Sequence, residues 1–270
     1  MPARYFLATS PVAVSELLGV AEIGADAATI GPRYNIAPGQ RVPVVRGVEG
    51  LRGDDTRNDD RIALGSSPAR PLARTPAYMS LARWGLIPGW SASDDIGVTV
   101  SCLSLESIGQ RPAGRDAFAR RRCLVPADGF FEWKATGHGR RQPMCVRVRS
   151  GVAAGPVPFA MAGVWDRWYP RGEDQPGPVV ETFAIITVPA NEALREFAER
   201  MPMILRPEEY AAWLALSEAS GDGARAPGRP CDPDLLEVYP VSAMVSSPRN
   251  DSPRCIEPWD EAAFGPLSFS

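Results

Sequence analysis

The sequence predicts an α+β fold, a single domain around a curved, mainly antiparallel sheet with helices at its edge. Three observations carry that prediction. Short runs of β character recur along the chain between Gly, Pro and Asp. Helical signals are fewer and lie between those runs, and strand never alternates with helix for long enough to build a parallel sheet. The first run, 4–9, leads to Ser10, which suits the cap of a helix over 11–20 carrying Leu17 and Leu18. Runs 41–46 and 78–84 flank a polar stretch, 49–74, rich in Gly and Asp and expected to be a surface insertion. A run at 97–102 precedes a helix over 113–122 with an arginine-rich face. Runs 129–134 and 144–149 enclose a Gly-His-Gly connection that suits a hairpin. After 159–168 and 183–188, Asn191 is expected to cap a helix containing Leu194 and Phe197. Pro207, Glu208 and Glu209 open another that runs through Trp213 to Leu216. A second insertion, 217–232, precedes the last run, 236–241.

Composition narrows the function classes. A chain of 270 residues buries a core without staples, and its 25 Gly and 28 Pro stay below the roughly one quarter at which disorder becomes the default. Its 29 basic and 32 acidic residues leave a net charge of −3, which excludes binding to duplex by bulk charge and confines any nucleic-acid contact to a local patch. Lys134 is the sole lysine, so the positive charge is almost all guanidinium, a bias that genomic base composition also explains. Cys102, Cys123, Cys145, Cys231 and Cys255 are widely spaced, with neither CxxC nor histidine at ligand spacing. Reduced thiols and no metal site follow. No signal-peptide pattern and no run near 18 apolar residues occurs, so a soluble, cytoplasmic protein with no membrane contact is expected.

Few residues offer chemistry. The one histidine, His138, lies in the hairpin connection, which argues against a histidine relay, and no GxSxG, GxxxxGK[ST], GxGxxG or HExxH motif occurs. What stands out is Glu132 in Asp128-Gly-Phe-Phe-Glu-Trp-Lys134, where strand alternation places it on the face of Phe130 and Lys134. A carboxylate among rings has a raised pKa and works as acid or base, whereas an ion pair with Lys134 or an arginine would make it structural. Arg83, Trp84 and Trp90, around a Pro-Gly turn, form a set able to stack unpaired bases and hold phosphates; core tryptophans with a surface arginine give the same pattern. Arg115, Arg120, Arg121 and Arg122 read as a solvated helix face.

Read together, Arg4-Tyr5, Arg33-Tyr-Asn-Ile-Ala-Pro-Gly39, Arg83-Trp-Gly-Leu-Ile-Pro-Gly-Trp90 and Arg122-Cys-Leu-Val-Pro-Ala-Asp-Gly-Phe-Phe-Glu-Trp-Lys134 form an ordered series. It continues through Phe159-Ala-Met-Ala-Gly-Val-Trp165, Thr182-Phe-Ala-Ile-Ile-Thr187, Ala190-Asn191, Arg200-Met-Pro-Met-Ile-Leu205 and Asn250-Asp-Ser-Pro-Arg-Cys-Ile-Glu-Pro258. This series, over nearly the whole chain, resembles the SOS response-associated peptidase (SRAP) family, whose members process abasic sites in single-stranded DNA. The resemblance implies a barrel-like β core and a monomer without cofactor that contacts damaged single strands. It carries a strand groove onto Arg4, Asn35, Pro38, Arg83, Trp84 and Arg200. The family's cysteine at position two, whose amine and thiol capture the abasic aldehyde as a thiazolidine, falls on Pro2. Its Asn-x-Arg-x-Glu falls on Cys102, Ser104 and Glu106, its histidine on Ala198, and of the catalytic group Glu132 alone matches. A thiazolidine needs amine and thiol on one residue, so capture by that route is not expected here. The alternatives are a binding-only relative, an enzyme using the Pro2 amine as a Schiff base with Glu132, and a self-processing peptidase as the family name implies. A separate Cys102 thiol is the weakest substitute.

Overall fold

In a computed structural model the protein is described at residues 3–47, 61–63, 72, 77–95, 100–137, 139–149, 157–170, 177–215 and 228–259. The chain opens with β1 (Arg4–Leu7), α1 (Pro11–Leu18), β2 (Glu22–Gly24), α2 (Ala25–Ala28), β3 (Arg33–Ile36) and β4 (Arg41–Gly47). Then come β5 (Arg61–Ala63), β6 (Ala77–Trp84), β7 (Cys102–Ser104), α3 (Pro112–Arg120), β8 (Arg122–Ala127), β9 (Gly129–Gly137) and β10 (Arg140–Val148). β11 (Phe159–Trp168), β12 (Val180–Pro189), β13 (Arg200–Pro202), β14 (Ile204–Leu205), α4 (Tyr210–Ala215) and β15 (Leu236–Pro240) follow.

The long apolar strands β4, β6, β8, β11 and β12 close into a five-stranded barrel, antiparallel except where β6 meets β12 with Arg83 opposite Thr182 and Trp84 opposite Phe183. Closure removes the edges that an open sheet leaves unpaired. Trp84, Trp165, Phe183, Met161 and Val44, all at most 1% exposed, belong to the core that this closure encloses. One charge is enclosed with them. Arg46 on β4 is 1% exposed and reaches Glu181 on β12 at 2.5 Å, with its guanidinium 4.3 Å from the centre of the Trp165 ring. Since β4 and β12 are not neighbours, this pair crosses the barrel. A buried charge persists only where it is paired in this way.

A second sheet, ordered β15-β10-β9-β1-β3, lies against the barrel. Period-two alternation divides its faces. Tyr5, Leu7, Phe130 and Val146 join the main core, whereas Phe6, Phe131 and Cys145 form a smaller core covered by Val241, Val245 and Cys255.

Ser10 caps α1, its hydroxyl accepting from Ala13 N at 3.2 Å, and Gly19 ends the helix at φ +77°, where glycine carries no Cβ penalty. Other expectations need correction. Asn191 caps no helix: residues 192–197 form hydrogen-bonded turns, and its side-chain amide donates to the Cys231 carbonyl instead. The strand expected at 97–102 is Cys102–Ser104, because pairing with β12 sets its limits, and 96–99 lie outside the described residues. Arg122 is not part of a solvated face. It stacks on Phe118 and Trp213 at 4.3 and 4.7 Å, and burial pushes its pKa down to about 10. The connection of β9 to β10 is the expected hairpin, with His138 outside the described residues. Of the two expected insertions, only 61–63, 72 and 228–232 are described. Among the described residues no helix is long and apolar enough to cross a membrane.

Candidate functional site

The site is assembled from the link between β8 and β9. Asp128, fully buried, accepts from the Ala8 and Thr9 amides at 2.6 and 2.7 Å and from the Thr9 hydroxyl at 2.9 Å, which ties the exit of β1 to the entry of β9. Gly129 permits the close approach. A Cβ there would meet the Phe6 ring and stand 2.7 Å from the Val146 carbonyl oxygen. From that anchor the antiparallel ladder pairs Phe6 with Gly129, Tyr5 with Phe130 and Arg4 with Phe131. It therefore leads back along β1 towards the start of the chain and forward along β9 towards Glu132. Pro2 itself lies outside the described residues.

Glu132 is 6% exposed, and burial pushes its carboxyl up to about 7 against the pull of the chain's positive amino terminus. Alternation puts Phe130 in the core as expected, but the ion pair expected of Lys134 goes elsewhere, to Glu196 at 2.8 Å. Cys102 opens β7 opposite Ile185, and the preceding Ser101 carbonyl accepts from the Trp84 indole at 2.8 Å. Trp84 meets the Tyr5 ring edge-on at 5.1 Å, so β7 joins the same end of the barrel as β1 and β9. Burial pushes the Cys102 thiol up to about 12; the amino terminus and a Ser101 hydrogen bond oppose this, and the Glu132 charge adds to it. Cys102 is thus a neutral thiol near Glu132. Nearby, the hydroxyl of Ser104 on β7 lies 2.6 Å from that of Ser107 in the following turn, and Ala198 is buried in the main core.

The six groove residues divide by burial. Arg200 is fixed by Thr187, its Nε donating to Oγ1 at 3.0 Å and Nη2 to the carbonyl at 2.7 Å, and it pairs with Glu106 at 2.7 Å. Burial acts to raise the Glu106 carboxyl, but hydrogen bonds from its own backbone amide and from Arg200 hold it below the ordinary range. Arg83 pairs with Asp94 at 3.1 Å, and Pro38 sits half-buried in the turn before Gly39. Asn35 and Trp84 are fully buried, and Arg4, half-buried like Arg83 and Arg200, turns to Asn35. Arg4 donates to Asn35 Oδ1 at 3.1 Å and to the Val245 carbonyl at 2.8 Å. Asn35, fully buried, donates to the carbonyls of Val245, Ser247 and Asn250, and Trp84 is fully buried against Phe183. The exposed ring of that motif is Trp90, 58% exposed, on a turn held by the bond from Gly89 N to Asp166 and by the Trp168 indole on the Ser91 carbonyl. The Asn35 clamp on 245–250 could be suspected only from the Asn250-Asp251 block. Thr187, which fixes Arg200, stands in the Thr182–Thr187 block, but nothing in that block shows that it holds the arginine.

A buried carboxyl with a pKa near neutrality can give and take a proton. Among the described residues no three His, Cys, Asp or Glu gather to hold a metal, and all five cysteines are free thiols. A cavity of about 300 Å³ lies among Ile204, Arg206, Glu209 and residues 229–232, and none of the candidate residues lines it.

The chain is 34% identical over 227 residues to "Abasic site processing protein YoqW" of Bacillus subtilis strain 168, covering 84% of this chain and 86% of that protein. "Abasic site processing protein HMCES" of Gallus gallus is 32% identical over 194 residues, 65% of this chain and 56% of that one. A crystal structure of a protein from Bacteroides thetaiotaomicron shares the fold with a TM-score of 0.70 at 22% identity, over 95% of this chain and 99% of that one. A family model matches residues 1–248 across both sheets and the whole candidate site, and the chain belongs to the SOS response associated peptidase (SRAP) family.

Proposed function

We propose that this protein recognises abasic sites in single-stranded DNA during the response to DNA damage and holds them without forming a thiazolidine. The observation that carries this is Glu132, buried with its carboxyl near neutrality on a ladder that leads to the start of the chain. It is supported by membership of a family whose relatives are named for abasic-site processing. Pro2 offers no thiol beside its nitrogen, so the strand is bound rather than locked. Arg83, Arg200 and Pro38 with Trp90 form the contact surface, while Arg4, Asn35 and Trp84 shape it from beneath. The same reading makes the chain one monomeric, cytoplasmic unit.

Titration of fluorescent single strands with and without an abasic site tests this. Binding at low salt that favours the abasic strand is expected, and Trp90→Ala is expected to weaken it about tenfold, since stacking one base contributes about 1–3 kcal/mol. No binding at low salt contradicts the proposal.

A second reading follows from the same near-neutral carboxyl. With Met1 removed, the Pro2 secondary amine adds to the abasic aldehyde and loses water to give an iminium, and Glu132 relays the proton. Borohydride then traps an adduct that peptide mapping places on the Pro2 nitrogen; no adduct, or an adduct on another residue, contradicts it.

A further inference from the structure

We propose that Arg121 holds the DNA phosphate next to the base stacked on Trp90, the two side chains making one nucleotide-sized contact around the buried carboxylate of Asp166. This rests on the strand-binding reading and deepens it by adding a cation outside the six groove residues. Asp166 on β11 is 8% exposed. Its Oδ2 accepts from the Gly89 amide at 3.0 Å, while its Oδ1 accepts from the Arg167 amide at 2.8 Å and lies 3.1 Å from Arg121 Nη2. Gly89 precedes Trp90, so a single carboxyl group separates the guanidinium from the turn that carries the exposed ring.

Asp166 and Trp168, two residues apart on β11, point to the same side of the strand. The Trp168 indole donates to the Ser91 carbonyl at 2.9 Å, so the turn is seated on that side through both neighbours of Trp90. The seat is close. A Cβ at residue 89 would stand 2.8 Å from the Arg167 carbonyl oxygen, an approach that glycine permits. Asp94, paired with Arg83 at 3.1 Å, ties down the far end of the same loop. A ring held in this way loses little freedom when a base stacks on it. Arg121 keeps capacity for an anion, unlike Arg122, which stacks on Phe118 and Trp213. Its side chain is 28% exposed over an acid at 11%, and its Nε has no hydrogen-bond partner among the described residues. The acid is already shared with two backbone amides, so it neutralises the guanidinium incompletely. A phosphate coming from solvent meets the cation, whose planar fork of donors matches its oxygens.

The test titrates a fluorescent abasic single strand at several salt concentrations against wild type, Trp90→Ala, Arg121→Gln and the combination of these two. A paired variant, Arg121→Gln with Asp166→Asn, repeats the salt series with no unpartnered buried acid and no change in net charge. Arg121→Gln and the paired variant are both expected to weaken binding about tenfold and to lower the slope of log affinity against log salt by about one, because counterion release counts the phosphates neutralised. Trp90→Ala is expected to leave the slope unchanged, since stacking releases no counterion. Combining Trp90→Ala with Arg121→Gln is expected to cost clearly less than the product of the two single losses, as neighbouring contacts couple. An unchanged slope in the paired variant overturns the phosphate contact while leaving strand binding intact. Single losses that multiply put the two side chains on separate nucleotides and overturn the shared contact. Failure of wild type to bind at low salt removes the strand-binding reading and this inference together.

Discussion

Glu132→Gln is expected to be more stable than the wild type at pH 8, by about 3 kcal/mol, and to match it at pH 4.5, because the native carboxyl is raised from 4.5 to about 7. The direction follows from proton counting. Between those values the folded state holds a proton that the unfolded state has released, so wild-type stability is complete below the lower value and falls as pH rises through the higher one. An amide of the same shape has no proton to lose and no charge to bury. At roughly 2–4 °C per kcal/mol the melting temperatures separate by about 10 °C at pH 8 and converge in acid. A separation independent of pH contradicts the buried, near-neutral carboxyl. The same substitution is expected to leave strand binding in place while lowering any iminium chemistry by roughly 10²–10⁴-fold, the usual contribution of a positioned proton carrier. Greater stability with lost chemistry is the mark of a group placed for function.

Asn35→Ala is expected to lower stability by about 3 kcal/mol, because one fully buried side chain serves four partners: Arg4 at 3.1 Å and the carbonyls of Val245, Ser247 and Asn250 at 3.0, 2.9 and 2.8 Å. The loss is local in origin. Val245 covers the small core of Phe6, Phe131 and Cys145 on the outer face of β1 and β9, and Trp133 donates to the Ser246 hydroxyl at 3.2 Å. Hydrogen exchange is therefore expected to accelerate first across 243–250, before the barrel strands. Unchanged protection there contradicts the clamp.

The barrel was legible where packing alone decides. Runs 41–46, 78–84, 159–168 and 183–188 lie within β4, β6, β11 and β12, because each is a long apolar stretch between turn residues. β3, β13 and β14 are two to four residues long and exist through their partners, which periodicity cannot register. Trp84 and Trp90 show the same limit within one motif: one ends a barrel strand and is fully buried, while the other follows a Pro-Gly turn and is 58% exposed. Glu132 was readable as a carboxylate on a core-facing strand position. That Lys134 turns to Glu196 was not, since Glu196 arrives from a turn 62 residues away. Nor was Arg46, whose reach across the barrel to Glu181 no local pattern registers.

With no thiol beside the Pro2 nitrogen, the protein is expected to grip an abasic strand reversibly. Intact mass of the unmodified protein, taken after incubation with abasic single-stranded DNA and then heating, tests it most directly. Bare polypeptide is expected without borohydride; a heat-stable conjugate bearing a sulfur-containing ring contradicts reversible binding.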